Sequence, residues 1–273
     1  MRSDSPANSP NPMLYDSAAD VLIKALRGHA LTPAQAATRS GLSESKVTAA
    51  CRGQADTNEL TQLALALELN PTALAKLEQH QPNPRAPSWI ERLKLTFDDD
   101  GVNAWLCDAG EGCHLIFDTG AGENDIRHEL DQRGLGQVHV LITHEHADHV
   151  GGLRGLNGRT LSVHRPATGL QPNIHLHFGN LKVRSISLPG HCDGALGFVV
   201  DAAGFSVCIT GDALFAGSIG GCPSTQAYQQ ALAALRNNVM SLPDDTLLLP
   251  GHGPATTVGL ERSANPFFAR ASG

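Results

Sequence analysis

Aromatic residues are scarce, at 4% of 273 positions, so Ala, Leu and Val must do most of the packing. Long apolar runs are missing as well. No stretch approaches the ~18 residues of a membrane span, which excludes a helical membrane anchor on this reading. The opening MRSDSPANSPNP lacks the apolar core of a secretory signal and, rich in Ser, Pro and Asn, reads as a disordered tail over residues 1–13. The six cysteines, at 51, 107, 113, 192, 208 and 222, form no C-x-x-C pair or zinc-ribbon spacing. Their scatter suits reduced thiols, and the chain is expected in the cytoplasm. Positive charge is also short: 20 Lys and Arg face 27 Asp and Glu, a net charge of −7. That balance argues against nonspecific binding to nucleic acid or to anionic membrane. What remains is an ordinary 41% apolar content, enough for a real core, in a chain long enough for one large domain and one small one.

Residues 14–80 read as all-helical. YDSAADVLIKALRG carries apolar positions at helical spacing and ends on Gly28. In LTPAQAATRSG, Thr32 is the cap, Pro33 the first helical residue and Gly41 lies past the end. LSESKVTAACRG restarts from Ser43 and stops at Gly53. Two short helices joined through Gly41 resemble the repressor-type helix-turn-helix family, whose implied activity is DNA binding through the helix Ser43–Arg52. Residues 1–80 nevertheless hold seven Lys/Arg against eight Asp/Glu, and that helix offers only Lys46 and Arg52 as cations. A scaffold or homodimerisation use is therefore favoured over DNA contact. The proline-rich stretch 81–88 reads as a linker. From Trp89 to the end at 273, short apolar strands and glycine turns alternate with helices, a layered α/β domain.

The informative regularity lies at the strand exits. VLIT runs into His144, SISLPG into His191, VCITG into Asp212 and LLLPG into His252. His144 and His146, two apart in an extended segment, project to one side and can grip one ion. Asp148 and His149 follow where the chain turns into a helix and aim at a second point. A catalytic metal wants about three protein ligands plus water. His144, His146 and His191 complete one such set, Asp148, His149 and His252 the other, and Asp212 has two oxygens with which to bridge them. A closed structural cage rich in Cys is not what this pattern describes. His29, His80, His114, His128, His139, His164, His175 and His177 are left as polar surface residues, and Glu145 and Thr143 as loop residues.

His144-x-His146-x-Asp148-His149, with His191, Asp212 and His252 following, resembles the signature of the metallo-β-lactamase-fold hydrolase superfamily over roughly residues 90–268. GDALFAGSIGG, PGHGPATTVGLE and ERSANPFF look like its glyoxalase II-like group of thioester hydrolases. The resemblance implies a four-layer αβ/βα sandwich behind the small all-α segment, and a pair of divalent ions, zinc first, with iron or manganese in relatives. Close relatives continue after GSIG with Arg-Thr-Asp, where this chain has Gly221, Cys222 and Pro223. They also carry a further C-terminal helical region. Both differences bear on whether glutathione is the carrier.

The implied chemistry is attack on a small-molecule thioester or ester by water whose pKa a metal lowers from 15.7 to about 7. Asp148 and Asp212 are the catalytic carboxylates, Asp148 also taking the proton. Asp118, at the IFDTG strand exit, orients a ligand histidine. Tyr228 and Arg262 are weaker expectations for the substrate edge, and Cys192 and Cys222 for packing. Alternatives are an iron-dependent persulfide dioxygenase using His144, His191 and Asp212, a lactonase, and a DNA-binding regulator whose metal domain senses a metabolite.

Overall fold

The computed structural model describes residues 13–99 and 101–269. Except for Met13, the expected tail lies outside the described residues. Five helices open the chain: α1 (Ala18–Gly28), α2 (Pro33–Ser40), α3 (Glu44–Ala50), α4 (Thr57–Ala66) and α5 (Pro71–Ala75). Each starts on a side chain that satisfies an otherwise orphaned N–H, namely Ser17, Thr32, Ser43, Asp56 and Asn70. Gly41 ends α2 at φ +73°, a left-handed conformation that costs glycine little. Residues 80–87, rich in proline, carry neither helix nor strand.

Two sheets follow. The first joins β1 (Ile90–Leu95), β2 (Val102–Asp108), β3 (His114–Phe117), β4 (Val138–Leu141) and β5 (Thr160–His164) in that order, parallel from β3 onward. The second contains β6 (His175–Phe178), β7 (Leu181–Ser187), β8 (Leu196–Ala202), β9 (Phe205–Gly211), β12 (Leu247–Pro250) and β13 (Thr256–Thr257). Its order is β13-β12-β9-β8-β7-β6, with β12 parallel to β9. A short hairpin, β10 (Leu214–Phe215) with β11 (Ser218–Ile219), sits between β9 and β12 in the chain.

Successive strand residues point to opposite faces, and β2 shows why its run is apolar throughout. Trp105 and Cys107 enter the layer between the sheets with Phe117, Leu141, Phe198, Val207 and Ile209. Val102, Ala104 and Leu106 face outward, in the cluster that holds Ile126 and Leu130 of α6 (Glu123–Gln132). On the far side, Ile186, Val199, Cys208 and Leu248 pack with Ala231 and Leu235 of α8 (Thr225–Asn238). Helix, sheet, sheet and helix therefore stack as the four-layer sandwich expected from the sequence. Two short helices, α7 (Ala147–Val150) and α9 (Val258–Ala264), complete it.

The N-terminal helices are part of the same packing. Val21, Leu22, Val47, Leu63, Leu74 and Leu77 share one buried cluster with Tyr228, Ala231, Val258 and Phe267. At Gly28 the approach is so close that a Cβ would fall 2.4 Å from the Tyr228 ring. Polar ties add direction: the Asn70 N–H donates to the Pro266 carbonyl at 2.8 Å. His80, expected at the surface, is instead 9% exposed and meets Glu261 at 3.0 Å. The fully buried Glu261 carboxylate also accepts from Thr256 Oγ1 (2.7 Å), Gly217 N–H (2.8 Å) and Asn265 Nδ2 (2.8 Å). A lone histidine in a polar stretch gives no sign that a carboxylate 181 positions later will bury it.

Candidate metal centre

Because β3 runs parallel to β4, and β9 to β12, the residues after these strands emerge at one edge of the sandwich. There the chain places Asp118 after β3, Thr143 and His144 after β4, Asp212 after β9 and His252 after β12. His191 arrives through the Leu188-Pro189-Gly190 exit of β7. His146 caps α7, which carries Asp148 and His149.

Two donor sets form. His146 Nδ1 lies 3.1 Å from both His144 Nε2 and His191 Nε2. Opposite them, His252 Nε2 is 3.2 Å and His149 Nε2 3.4 Å from Asp148 Oδ2. Asp212 stands between, with Oδ1 3.3 Å from His149 Nε2 and Oδ2 3.5 Å from His252 Nε2 and 3.6 Å from His191 Nε2. All seven sequence-predicted donors thus fall into two clusters, His144/His146/His191 and Asp148/His149/Asp212/His252, with the donor atoms of each cluster within 4.8 Å of one another.

The arrangement fits metal ions better than hydrogen bonds. Three imidazole nitrogens converge in the first cluster, and a neutral ring has one proton, which each of these rings can place on its other nitrogen. Zinc with Zn–N near 2.0–2.1 Å in tetrahedral geometry sets its nitrogens about 3.3 Å apart, close to the spacing here. In the second cluster His149 Nε2 and Asp212 Oδ1 are buried with no hydrogen-bond partner, although they stand 3.3 Å apart. Buried polar atoms are rarely left so. Both aim at a common point.

The rings are held from behind. His144 Nδ1 donates to Thr143 Oγ1 (3.0 Å), which donates to Asp118 Oδ2 (2.8 Å). Asp118 Oδ2 also accepts from His149 Nδ1 (2.8 Å), and Oδ1 accepts the Thr143 N–H (2.8 Å). His191 Nδ1 donates to the Gly221 carbonyl and His252 Nδ1 to the Gly101 carbonyl, each at 2.9 Å. These bonds assign the proton to Nδ1 and turn each Nε2 lone pair inward. Gly251 makes room: a Cβ there would lie 2.3 Å from Asp212 Oδ1 and 2.6 Å from His149 Cε1.

Electrostatics divide the two clusters. Burial, reinforced by His149, pushes His144 down to about 3, so its ring stays neutral. Burial also lowers His191, against the pull of Asp212. For His252 burial acts downward too, but Asp148 and Asp212 outweigh it and hold the ring up to about 9. Burial would raise Asp212, yet His149 and His252 hold it well below the usual carboxylate range. Carboxylates facing imidazoles make an anionic well that a divalent cation can neutralise.

Other residues stand differently from the sequence reading. Thr143, assigned to the loop, links Asp118 to His144. Glu145 does stay in the loop, paired with Arg165 and accepting the Ala167 N–H. Tyr228 packs on Gly28 and Phe267, and Arg262 donates to Met240 O and pairs with Asp244. Neither lines the cavity of about 430 Å³ that opens on His191 and Asp212. Residues missed entirely are Tyr15, Asp16, Asp20 and Lys24, which line it as well. Nothing in their spacing signals a site.

An edge of paired sheets carrying one all-His and one His/Asp donor set defines a metal-dependent enzyme centre. The chain belongs to the metallo-beta-lactamase superfamily, whose family pattern matches residues 97–161. It is 31% identical over 197 residues to the probable metallo-hydrolase YqgX of Bacillus subtilis, covering 61% of this chain and 92% of that protein. It is 28% identical to the hydroxyacylglutathione hydrolase GloC of Haemophilus influenzae, over 56% of this chain and 86% of that one. To the human mitochondrial persulfide dioxygenase ETHE1 it is 32% identical over 155 residues, half of this chain and 59% of that one. The crystal structure of TTHA1623 in a di-iron-bound form aligns at a TM-score of 0.50 with 27% identity, over 64% of this chain and 99% of that one. No helix among the described residues is long and apolar enough to cross a membrane.

Proposed function

We propose that the protein is a dinuclear metal hydrolase of thioesters, of the glyoxalase II-like kind, with zinc as its metal. The observation that carries this reading is Asp212, which stands between the two donor sets: Oδ1 faces His149, and Oδ2 faces both His252 of that set and His191 of the other. His144, His146 and His191 would hold one ion and Asp148, His149 and His252 the other. Two cations so placed would supply Lewis acidity and an acidified water at neutral pH.

The chain's own residues do the rest. Asp148, within reach of His149 and His252, is the carboxylate that accepts the proton released from the attacking water. Asp118, Thr143 and the Gly221 and Gly101 carbonyls fix the ring tautomers, so the donor atoms need no rearrangement during reaction. The cavity beside His191 and Asp212 receives the substrate. A thiolate leaves with little help from an acid, which suits a site whose other side chains are metal donors.

The test is metal analysis of the purified protein together with a thioester panel that includes lactoylglutathione. Two equivalents of metal and turnover that vanishes in His144→Ala and Asp212→Ala are expected; retained activity in either variant refutes the reading. The similarity to a persulfide dioxygenase supports a second reading, in which His144, His191 and Asp212 alone hold ferrous iron. That leaves Asp148, His149 and His252 converging without a task, and His146 beside them. Oxygen consumption with glutathione persulfide, absent for the hydrolase, separates the two.

A further inference from the structure

One donor from each cluster, His191 and Asp212, lines a single cavity, and the rest of its lining comes from distant parts of the chain. Phe215 lines it with them. Tyr15, Asp16, Asp20 and Lys24, on α1 or just before it, form a wall of it. A substrate that enters this cavity with its reacting carbonyl at the donors lays its remainder against α1.

That wall is held in place. Tyr15 stacks on the donor ring of His252, centroids 4.6 Å apart and 18° from parallel, and meets Phe215 edge-on at 4.9 Å. The Lys24 ammonium pairs with Asp16, donates to the Ile219 carbonyl at 2.9 Å and sits 5.0 Å over the Phe215 ring. Gly28, at the other end of α1, seats against Tyr228.

We propose that α1 and its lead-in are the substrate-recognising wall of the metal site, and that Asp20 and Lys24 select the charge carried by the thiol part of the substrate. This rests on the hydrolase reading for what the substrate is. The ammonium of Lys24 is already engaged by Asp16, Ile219 and Phe215. Asp20 Oδ2 accepts from the Ser17 N–H and hydroxyl at 2.9 and 2.6 Å, which leaves its other oxygen without a bond to the described residues. The three side chains sum to one negative charge, so the wall favours a thiol carrier bearing a protonated amine over one bearing a carboxylate.

The experiment uses the full chain loaded with cobalt and three small thiols: cysteamine, neutral 2-mercaptoethanol and 3-mercaptopropionate. Thiolate binding at cobalt is followed by visible absorption. Wild type should bind cysteamine more tightly than 3-mercaptopropionate. Asp20→Asn keeps an acceptor for the helix cap and removes the charge, so that preference should fall about two- to five-fold, the range of a partly exposed ion pair. Lys24→Met should raise the preference, and 2-mercaptoethanol should bind alike in all three proteins. An unchanged preference in fully loaded Asp20→Asn overturns the proposal, as does a Lys24→Met shift in the same direction as Asp20→Asn. If Lys24→Met fails to fold, Asp20→Asn alone decides. Because binding is read without turnover, a protein that hydrolyses no thioester can still pass this test, and a competent hydrolase can still fail it.

Discussion

Asp118→Asn is the most informative single substitution. Asp118 is 1% exposed and sits at φ +60°, a conformation Asn tolerates better than most residues, so the backbone does not object. The carboxylate accepts three hydrogen bonds at 2.8 Å, from the Thr143 N–H, the Thr143 hydroxyl and His149 Nδ1. An amide can accept at one end only. With its oxygen toward the Thr143 N–H, its NH₂ confronts the His149 Nδ1 proton. His149 then relieves the clash by moving that proton to Nε2, the atom that faces Asp148 and Asp212, and the ring ceases to be a ligand. The opposite flip sets NH₂ against a backbone N–H, an unsatisfied buried donor costing about 1–3 kcal/mol. Losing such a supporting partner typically lowers metal affinity about 10- to 100-fold, equivalent to about 1.4–2.7 kcal/mol. Competition with a chromophoric zinc chelator should show that loss at the site built on His149, with a smaller change at the site built on His144. Wild-type affinity at both sites in a normally melting Asp118→Asn protein would refute the tautomer argument.

Gly251→Ala drives a methyl into Asp212 Oδ1 and His149 Cε1. Displacing reacting groups by about 1 Å can cost ~10²-fold, so kcat should fall at least that far with metal content reduced, whereas unchanged kinetics would mean the edge is looser than described. Glu261→Gln turns an acceptor for two donors into a donor, and the unmet bonds should cost roughly 3 kcal/mol, read as a lower melting temperature with metal stoichiometry intact. Stripping the metal with a chelator should lower the melting temperature by on the order of 10 °C, because ligand at ~1,000 times its Kd contributes about 4 kcal/mol; identical melting curves would argue against ions bound at this edge. Burial pushes the Cys208 thiol up to about 12, so at pH 8 roughly one thiol in 10⁴ is ionised. Mass mapping after alkylation should find it unmodified until the protein unfolds, while half-buried Cys113 and Cys192 react.

The donor set is legible in the sequence because each donor lies at a strand exit or in the short helix that follows one. An apolar run, a turn residue and then His144, His191, Asp212 or His252 is a pattern within a few positions, and the sandwich gathers those exits at one edge by parallel pairing of β3 with β4 and β9 with β12. Capping residues are local too, so Thr32, Ser43 and Gly41 marked their helix ends correctly. The supporting shell was less visible. Thr143 read as loop because its role depends on Asp118, 25 positions earlier, and His80 read as surface because Glu261 stands far along the chain. Tyr228, only a weak expectation for the substrate edge, has its ring claimed by Gly28 across the packing interface.

By itself, then, the sequence determined which side chains can hold cations and which strands deliver them, since both follow from residue type and short-range periodicity. Only the tertiary structure decided what faces those donors. Tyr15 reaches His252, and Lys24 reaches Ile219, across separations of 237 and 195 positions. Contacts over such separations arise when apolar faces of α1, α5 and α8 bury one another. Burial is indifferent to order along the chain, so no spacing in the sequence records its outcome.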